Sequence, residues 1–555
     1  MQSTMMDCDL TVSSIVRHGA GVHGGSLVVT GDVRGLRRSS FADVALRAER
    51  LAAALARLGV RPGDRVATLS SNHQEHLEAY LAVPSMGAVL HTLNPRLSRE
   101  QLAFVMQHAE DKILIVDAGY MPVFDSVASL VDSVEHVLVV DADGDVVQSI
   151  DGSSWKGSLA PYARVVDAER PGFSWPDVDE RSAAAMCYTS GTTGDPKGVV
   201  YSHRSIVLHT YAACAASCFA LTDHDRVLPI VPMFHANAWG LPYAAWASGS
   251  SLVMPGRRLQ AEAICDLIAR ERPTVSGAVP TVWNDILRHG ETHAIDLSSL
   301  RLVICGGSAV PRVLMQRFQQ EYGIRIIQAW GMTETSPIGA LAFPPACAAG
   351  EEQWRWRSKA GRLVPGVEAR IVDQDGRTVP RDGLTVGEIE VRGPWITGSY
   401  YRTPSPDRFH DGWLRTGDVG TLDGHGFLTI SDRSKDVIKS GGEWISSVAL
   451  ENAIMGHPDV AEVAVIGIPD ARWEERPLAC VVMRRGRSID LDRLRDFLAS
   501  RVERWWIPDS WAFIEGVPRT GVGKFDKKAL RAAFASGAIR VEKIEKEPTR
   551  VQARP

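Results

Sequence analysis

Residues 188–204 read YTSGTTGDPKGVVYSHR. Residues 190–194 place two glycines among three hydroxyl side chains, and Lys197 follows closely. Glycine lets backbone N–H groups converge on an anion, hydroxyls add donors and lysine adds charge, so the stretch is suited to binding a polyphosphate. It is not a Walker A loop, because Pro196 stands where that pattern needs glycine. The alternative interpretation is an ordinary Ser/Gly turn.

Short strands and helices surround this loop. Residues 183–187 and 198–201 are β-rich, and Ser202 can cap a helix that begins near His203. The same alternation is predicted upstream, with helices over 40–58 and 73–85 and strands over 65–70, 88–91, 113–117 and 136–141. Strands that alternate with helices predict an α/β fold with mainly parallel βαβ sheets.

The domain organisation follows from changes of pattern along the chain. Residues 141–171 are rich in Asp, Gly and Ser and are predicted to be an exposed excursion. After Lys435 a helix over 446–455 and a β-rich run over 460–468 predict a compact α+β unit. We therefore expect a large N-terminal domain (1–434), a small mobile C-terminal domain (435–540) and a charged tail (541–555).

The composition indicates a globular enzyme that acts on small molecules. The 555 residues are 45% apolar and carry a net charge of −5, which argues against general affinity for nucleic acid or anionic membranes. No signal peptide and no apolar run of ~18 residues is found, so we expect a cytoplasmic protein without a membrane span. The eight cysteines form no C-x-x-C pair and are expected to be buried.

Further motifs follow the loop in order: VPMFHANAWG at 231–240, RLVICGGSAVP at 301–311, IIQAWGMTET at 326–335 and GWLRTGD at 412–418. With YTSGTTGDPKG they resemble the adenylate-forming superfamily, which contains acyl-CoA synthetases, aryl-CoA ligases, luciferases and adenylation domains of peptide synthetases. The resemblance covers nearly the whole chain and is nearest to medium- and long-chain fatty-acyl-CoA synthetases. It implies ATP, Mg²⁺ and CoA as cofactors.

The resemblance also implies which residues bind ATP. Those of the loop are Thr189, Ser190, Gly191, Thr192, Thr193, Gly194 and Lys197. Those beyond it are Gly306, Gly307, Gln328, Trp330, Gly331 and Thr333. Trp330 stands where many relatives have Tyr, and it still offers adenine an aromatic face. Glu334 is implied to bind Mg²⁺, which accepts carboxylate oxygens beside phosphates.

The acid is expected on the other side of the phosphates. His235 follows a predicted strand, and ligands commonly bind at such strand ends, although the alternative is an ordinary core histidine. The resemblance implies that His235 lies beside the carboxylate and that Trp239 gates an acyl tunnel, with Gly307 and Ala278 also in the substrate pocket. Fatty-acid members often have glycine where Ala278 stands, and its methyl group is expected to narrow the pocket.

The remaining implied roles concern the ribose and the second half-reaction. Asp418 and Arg433 are expected to hold the ribose, the alternative being a surface ion pair. Lys435 is the implied hinge, and Gly441 and Gly442 are implied to line a passage for the CoA thiol. The mobile-loop residue Lys524, with Lys197, Glu334 and His235, completes the expected catalytic set.

These residues predict ATP-dependent activation of a carboxylic acid, first of all a medium- or long-chain fatty acid, as acyl-AMP and its transfer to CoA. A homodimer is a further expectation. One alternative is adenylation with another substrate or acceptor: an aryl acid, a carrier protein, or nitrite activated to diazotise an aryl amine. Another is a ligand-binding protein without activity, which the retained charges of Lys197, Glu334 and Lys524 argue against.

Overall fold

The computed structural model describes residues 1–32, 35–141, 155–189, 195–433, 435–440, 443–487, 489–519 and 525–543. Its helices are α1 (Val12–Val22), α2 (Phe41–Arg57), α3 (Gln74–Ser85), α4 (Arg99–Ala109), α5 (Met121–Ala128), α6 (Tyr162–Asp167), α7 (His203–Cys214), α8 (Leu241–Ser248), α9 (Ala261–Glu271), α10 (Pro280–Gly290), α11 (Arg312–Tyr322), α12 (Glu351–Arg357), α13 (Ser447–Met455), α14 (Leu491–Ala499) and α15 (Lys527–Ala535). Within these described ranges, none of the helices has the length and apolar character needed to cross a membrane.

The strands, in chain order, are β1 (Leu27–Asp32), β2 (Gly35–Ser40), β3 (Arg65–Leu69), β4 (Val89–Thr92), β5 (Asp111–Asp117), β6 (His136–Val140), β7 (Ser158–Pro161), β8 (Ala183–Tyr188), β9 (Gly198–Ser202), β10 (Arg226–Pro229), β11 (Ser251–Met254), β12 (Val275–Ala278), β13 (Leu302–Gly306), β14 (Ile326–Gly331), β15 (Ile338–Leu341), β16 (Gly361–Leu363), β17 (Glu368–Val372), β18 (Gly387–Arg392), β19 (Phe409–His410), β20 (Trp413–Leu422), β21 (Phe427–Arg433), β22 (Ile438–Ser440), β23 (Glu443–Ile445), β24 (Val460–Asp470), β25 (Glu474–Met483), β26 (Ser510–Phe513) and β27 (Glu542–Lys543). They form three sheets.

The first sheet has the order β7-β6-β5-β3-β4-β8-β9, and every neighbouring pair is parallel except β8 and β9. Its helices begin where the sequence indicates: the Ser40 hydroxyl accepts a hydrogen bond from Asp43 N, and the Asp43 carboxylate accepts one from Ser40 N. The excursion predicted for residues 141–171 is corrected in part, because Ser158–Pro161 pairs with β6 at the edge of this sheet.

The second sheet is larger and mixed. From β1 through β11, β10, β12, β13 and β14 its strands are parallel, whereas β15, β16, β21, β20, β18 and β17 continue it in antiparallel pairs. The α/β fold class with mainly parallel βαβ units is therefore confirmed for the large domain. The antiparallel half was not predicted, since residues 361–433 show mostly polar, glycine-punctuated sequence.

The third sheet belongs to the C-terminal domain and has the order β23-β22-β25-β26-β27. β24 lies outside this order and pairs with β25 in antiparallel fashion. A core of its own, including Ile438, Leu450 and Trp511, packs against this sheet. Glu542–Lys543 was predicted to lie in the charged tail, but it pairs with β26 and is the edge strand of this sheet. Residues 544–555 of the predicted tail lie outside the described residues.

The cysteines are mostly buried, as expected for small apolar side chains. Cys187, Cys218, Cys265, Cys305 and Cys480 are buried and Cys214 is half-buried. The expectation was wrong for two others, since Cys8 and Cys347 are exposed.

Candidate active site

A cavity of about 340 Å³ lies where strands of the first and second sheets end. Carboxyl ends of parallel strands are the common ligand-binding edge of open α/β sheets. The lining includes most of the predicted site residues that the structure describes: Thr189, Lys197, His235, Trp239, Gly306, Gly307, Trp330, Gly331, Thr333, Glu334, Arg433 and Lys435. Residues from positions 189 to 435 thus meet in one cavity.

The two ends of the phosphate loop are joined by backbone contacts. Thr189 N donates to Lys197 O at 2.9 Å, and Lys197 N donates to the Thr189 hydroxyl at 3.1 Å. The Lys197 ammonium group donates to the Ser405 hydroxyl at 3.2 Å and lies 4.8 Å from the centre of the Tyr400 ring. The predicted phosphate ligands Ser190, Gly191, Thr192, Thr193 and Gly194 lie outside the described residues.

Glu334 lies on the same side of the cavity and is buried. Its Oε1 accepts a hydrogen bond of 2.6 Å from the Tyr400 hydroxyl, and its carbonyl accepts one from Thr397 N. Burial raises the pKa of Tyr400, and the nearby charge of Glu334 raises it further, so this phenol stays protonated and donates its hydrogen bond. A single carboxylate suits Mg²⁺, which usually binds one or two carboxylates together with substrate phosphates.

The predicted adenine and ribose residues are bonded to one another. Trp330 Nε1 donates to Asp418 Oδ2 at 2.8 Å, and Arg433 Nε lies 3.3 Å from Asp418 Oδ1 across the β20–β21 pair. Asp418 is buried, whereas the Arg433 side chain is about half-exposed. The Trp330 N–H orients the Asp418 carboxylate, and each carboxylate oxygen keeps a further acceptor site. A contact with the ribose stays a prediction.

Gln328 does not line the cavity. Its Oε1 accepts from Val310 N at 2.6 Å, and its Nε2 donates to Lys359 O at 2.8 Å. The amide therefore braces the backbone that follows Gly307, and a contact between Gln328 and the nucleotide stays a prediction.

The side of the cavity that is predicted to bind the acid is built by an unusual turn. After His235, residues Ala236, Asn237, Ala238 and Trp239 all have left-handed φ values, of 42°, 52°, 48° and 58°. Left-handed backbone costs about 1–2 kcal/mol per non-glycine residue, so surrounding contacts must hold this turn in place. The turn presents His235 and Trp239 to the cavity beside Phe219 and Ile304.

Ala278 does not lie in the predicted pocket, and this prediction is corrected. Side chains of a strand alternate between its faces, and Ala278 packs with Leu228 and Cys305 on the face opposite the cavity. Gly277 occupies the cavity face instead: a Cβ built on it would lie 3.5 Å from Trp239 Cε3 and 3.0 Å from Leu241 Cδ1. The short apolar run around β12 does not show which of its residues face the ligand.

The predicted hinge lies at the junction between the two domains. Lys435 lines the cavity, and burial lowers its pKa. Just before it, Asp432 Oδ2 accepts from both Ser447 N and the Ser447 hydroxyl at 2.6 Å, which anchors the start of α13. Lys527 then donates to the Ser447 hydroxyl at 2.6 Å and to Glu451 at 2.7 Å. Gly441, Gly442 and Lys524 lie outside the described residues.

Several residues of the site were missed by the sequence analysis. Tyr400, Phe219, Ile304 and Arg408 line the cavity, and Asp432 and Lys527 form the buried cluster at the domain junction. A weak signal existed for Tyr400, which lies in the aromatic pair of the segment GSYYRTP. The others come from strands, loops and the start of α15, and their packing partners are distant in sequence.

Comparison with known proteins identifies the family. A model described as AMP-binding enzyme matches residues 17–401, and one described as AMP-binding enzyme C-terminal domain matches residues 449–524. The chain is 43% identical over 539 residues to 3-methylmercaptopropionyl-CoA ligase of Ruegeria pomeroyi, covering 96% of this chain and 99% of that protein. It is 44% identical over 542 residues to long-chain-fatty-acid–CoA ligase of Thermus thermophilus, covering 96% and 97%.

Two further comparisons agree. Medium-chain-fatty-acid–CoA ligase of Ectopseudomonas oleovorans is 40% identical, with 97% of this chain and 99% of that protein covered. The crystal structure of the anthranilate CoA ligase AuaEII in complex with anthranoyl-AMP superposes with a TM-score of 0.86 at 25% identity, covering 97% of this chain and 100% of that one. The cavity, the motifs in order and these matches together show that the chain belongs to the AMP-binding enzyme family.

Proposed function

We propose that this AMP-forming acid–CoA ligase acts on medium- or long-chain fatty acids. The observation behind the proposal is that one cavity joins two chemically different ends. One end carries Trp330, Glu334 and Arg433, which suit a nucleotide and its phosphates, and the other carries Trp239 and Ile304, which suit an apolar chain. In this proposal His235 lies between the apolar tail of the acid and the phosphate of ATP that reacts.

In the first half-reaction a carboxylate oxygen attacks the α-phosphorus of ATP, a bond to pyrophosphate breaks and acyl-AMP forms. Such a step is accelerated mainly by positioning and by neutralising charge on the phosphates. Lys197 and the loop amides would hold the phosphates, and Lys524 would reach the carboxylate and α-phosphate from the C-terminal domain. Mg²⁺ bound by Glu334 would neutralise phosphate charge.

In the second half-reaction the CoA thiol attacks the acyl carbon of acyl-AMP and AMP leaves. The C-terminal domain would turn at Lys435, withdrawing Lys524 and bringing Gly441 and Gly442 beside the thiol. Glycines suit a passage for a narrow pantetheine arm, because they let it approach the backbone closely. No enzyme nucleophile is needed.

The choice of a fatty acid rests on the apolar end of the cavity and on the relatives. Those from Thermus thermophilus and Ectopseudomonas oleovorans are named for long- and medium-chain fatty acids, whereas that from Ruegeria pomeroyi is named for a short acid with a thioether. All three names describe the ligation of an aliphatic acid to CoA. The homodimer stays a prediction.

One argument for another adenylation substrate, a pocket narrowed by Ala278, is not supported by the position of this residue. Ala278 was the residue that suggested a narrower pocket, and it lies on the opposite face of the sheet from the cavity. Gly277, on the cavity face, has no side chain, and a methyl group there would contact Leu241 and Trp239.

The experiment that tests the proposal measures pyrophosphate release and product mass. Enzyme with ATP, Mg²⁺ and CoA is offered straight-chain acids from short to long, 3-methylmercaptopropionate and an aromatic acid. We expect thioesters of medium or long acids, and we expect Trp239→Ala to change the acid profile while the KM for ATP stays within about twofold, because Trp239 lies on the acid side. Absence of every thioester, with ATP turnover that rises with nitrite and an aryl amine, would replace this proposal by the diazotising alternative.

A further inference from the structure

The bend that follows β10 is fastened by a side chain from the first sheet. Asn72, which follows β3, is buried, and its Nδ2 donates to Pro229 O at 2.7 Å and to Val231 O at 2.9 Å. Its Oδ1 accepts from Met233 N at 2.8 Å. One buried amide thus satisfies three backbone groups within five residues, which fixes the path of the bend.

A second side chain fastens the next part of the same segment. The Tyr80 hydroxyl of α3 donates to Met233 O and lies 3.3 Å from Asn237 Oδ1. Asn237 also accepts from Cys187 Sγ at 3.3 Å. The segment 229–237 therefore continues from β10 of the second sheet but is held by side chains from α3 and from the loop between β3 and α3, which belong to the first sheet and its helices. It ends in the left-handed turn that presents Trp239.

We propose that Asn72, together with Tyr80, is a positioning residue for the acid: it sets where His235 and Trp239 stand relative to the phosphate loop. Neither Asn72 nor Tyr80 lines the cavity, so each acts through the backbone of the segment. The phosphate loop belongs to the first sheet and His235 to the second, so these hydrogen bonds fix the distance between the two ends of the reaction. This inference rests on the proposed acid ligase function.

The test compares Asn72→Ala with a matched control, Ser276→Ala, in the full chain with the acid that the wild type prefers. Ser276 of β12 is fully buried, and its hydroxyl donates at 2.9 Å to the carbonyl of Leu228. Leu228 lies on β10, just before the bend that Asn72 fastens. For Asn72→Ala we expect the KM for the acid to rise about tenfold or more and the acid profile to change, with the KM for ATP within about twofold, because small misplacements at a reacting centre are costly. Ser276→Ala should lower the thermal midpoint and move neither KM.

Tyr80→Phe provides a second test that removes a single hydroxyl. We expect a smaller rise in the KM for the acid and a smaller change in the acid profile, with the KM for ATP again within about twofold. If Asn72→Ala does not fold, Tyr80→Phe alone tests the inference. Equal changes in the KM for ATP and for the acid, or an unchanged KM and profile for the acid in the folded variants, would overturn the inference. A wild type that releases no pyrophosphate with any acid would refute the proposed function instead, so the two failures are distinguishable.

Discussion

Gly277 is the residue of β12 at which a single added methyl group tests the proposed acid pocket. A Cβ at this position lies 3.0 Å from Leu241 Cδ1 and 3.5–3.7 Å from the Trp239 ring. Gly277→Ala should therefore narrow the space beside Trp239, and we expect kcat/KM to fall by about tenfold for the longest accepted acid and by about twofold at most for the shortest.

The matched control for this prediction is Ala278→Gly, which changes the adjacent residue on the opposite face by the same methyl group. It should leave the ratio of kcat/KM for long and short acids unchanged. A shift of this ratio by Ala278→Gly, with none from Gly277→Ala, would place the acid on the other side of the sheet.

The same pair of residues shows what a sequence cannot reveal at this scale. Motifs indicated that His235, Trp239 and Glu334 share one site, because special residues in a fixed order carry chemistry. They did not show that Ala278 faces away, because a four-residue strand buried on both sides has no polar alternation to set its faces. The Trp330–Asp418 hydrogen bond was likewise hidden, since its partners are 88 residues apart.

At the scale of elements, α7 contains two buried histidines that act as hydrogen-bond acceptors. His203 Nδ1 accepts from Val12 N at 3.2 Å, and His209 Nε2 accepts from Ile338 N at 3.3 Å. Burial lowers the pKa of each to about 4. In the unfolded chain a histidine has a pKa near 6.5, so between pH 6.5 and about 4 it binds a proton that the folded His203 and His209 do not bind. Their contribution to the free energy of unfolding therefore falls as the pH drops from about 6.5 to 4.

His209→Gln should weaken this dependence, because glutamine can also accept from Ile338 N but does not titrate. We expect the slope of unfolding free energy against pH, between pH 4.5 and 6.5, to become shallower by up to about 1.4 kcal/mol per pH unit. Urea unfolding at several pH values measures it. The control is His224→Gln, which replaces an exposed histidine. Equal slopes for both variants and the wild type would contradict the assignment.

Elements were predicted well where local signals and topology agree. The capping serines Ser40 and Ser202 mark the starts of α2 and α7, and the βαβ alternation gives the parallel sheets. The antiparallel strands from β15 to β21 were not predicted, because β16 pairs with β21 across more than sixty residues of turns and short strands. Pairing over such distances depends on tertiary packing that short-range patterns do not encode.

At the scale of the whole molecule, ion pairs join the C-terminal domain to α10 of the large domain. Glu462 of β24 lies 3.4 Å from Arg288 of α10, and Arg484 lies 3.6 Å from Glu291, which directly follows α10. Within the C-terminal domain, Glu462 also lies 2.6 Å from Arg519. Arg288 and Arg484 are partly exposed, so the pairs between the domains contribute modestly, on the order of 1 kcal/mol, to this orientation of the domains.

Glu462→Gln should therefore loosen this orientation. We expect trypsin to cleave near the domain junction about two- to fivefold faster at low salt, and the difference from wild type to disappear near 0.5 M salt, where exposed charges are screened. Glu368→Gln, which breaks a surface pair with Arg392 within the large domain, serves as the control. Equal cleavage of both variants would show that Glu462 has no part in holding the domains.

The order of strands in the second sheet also has a consequence for biosynthesis. The β1–β2 hairpin leaves the ribosome early, yet the parallel partner of β1 is β11, which begins at Ser251. At about 5–20 residues per second, the intervening chain of about 220 residues takes about 10–45 s to translate. Throughout that time the edge of β1 that will pair with β11 has no partner strand, and the apolar residues Val28 and Val29 lie along it. Production of this enzyme should therefore depend on chaperones that bind nascent chains early, and slower translation should increase its loss to aggregation.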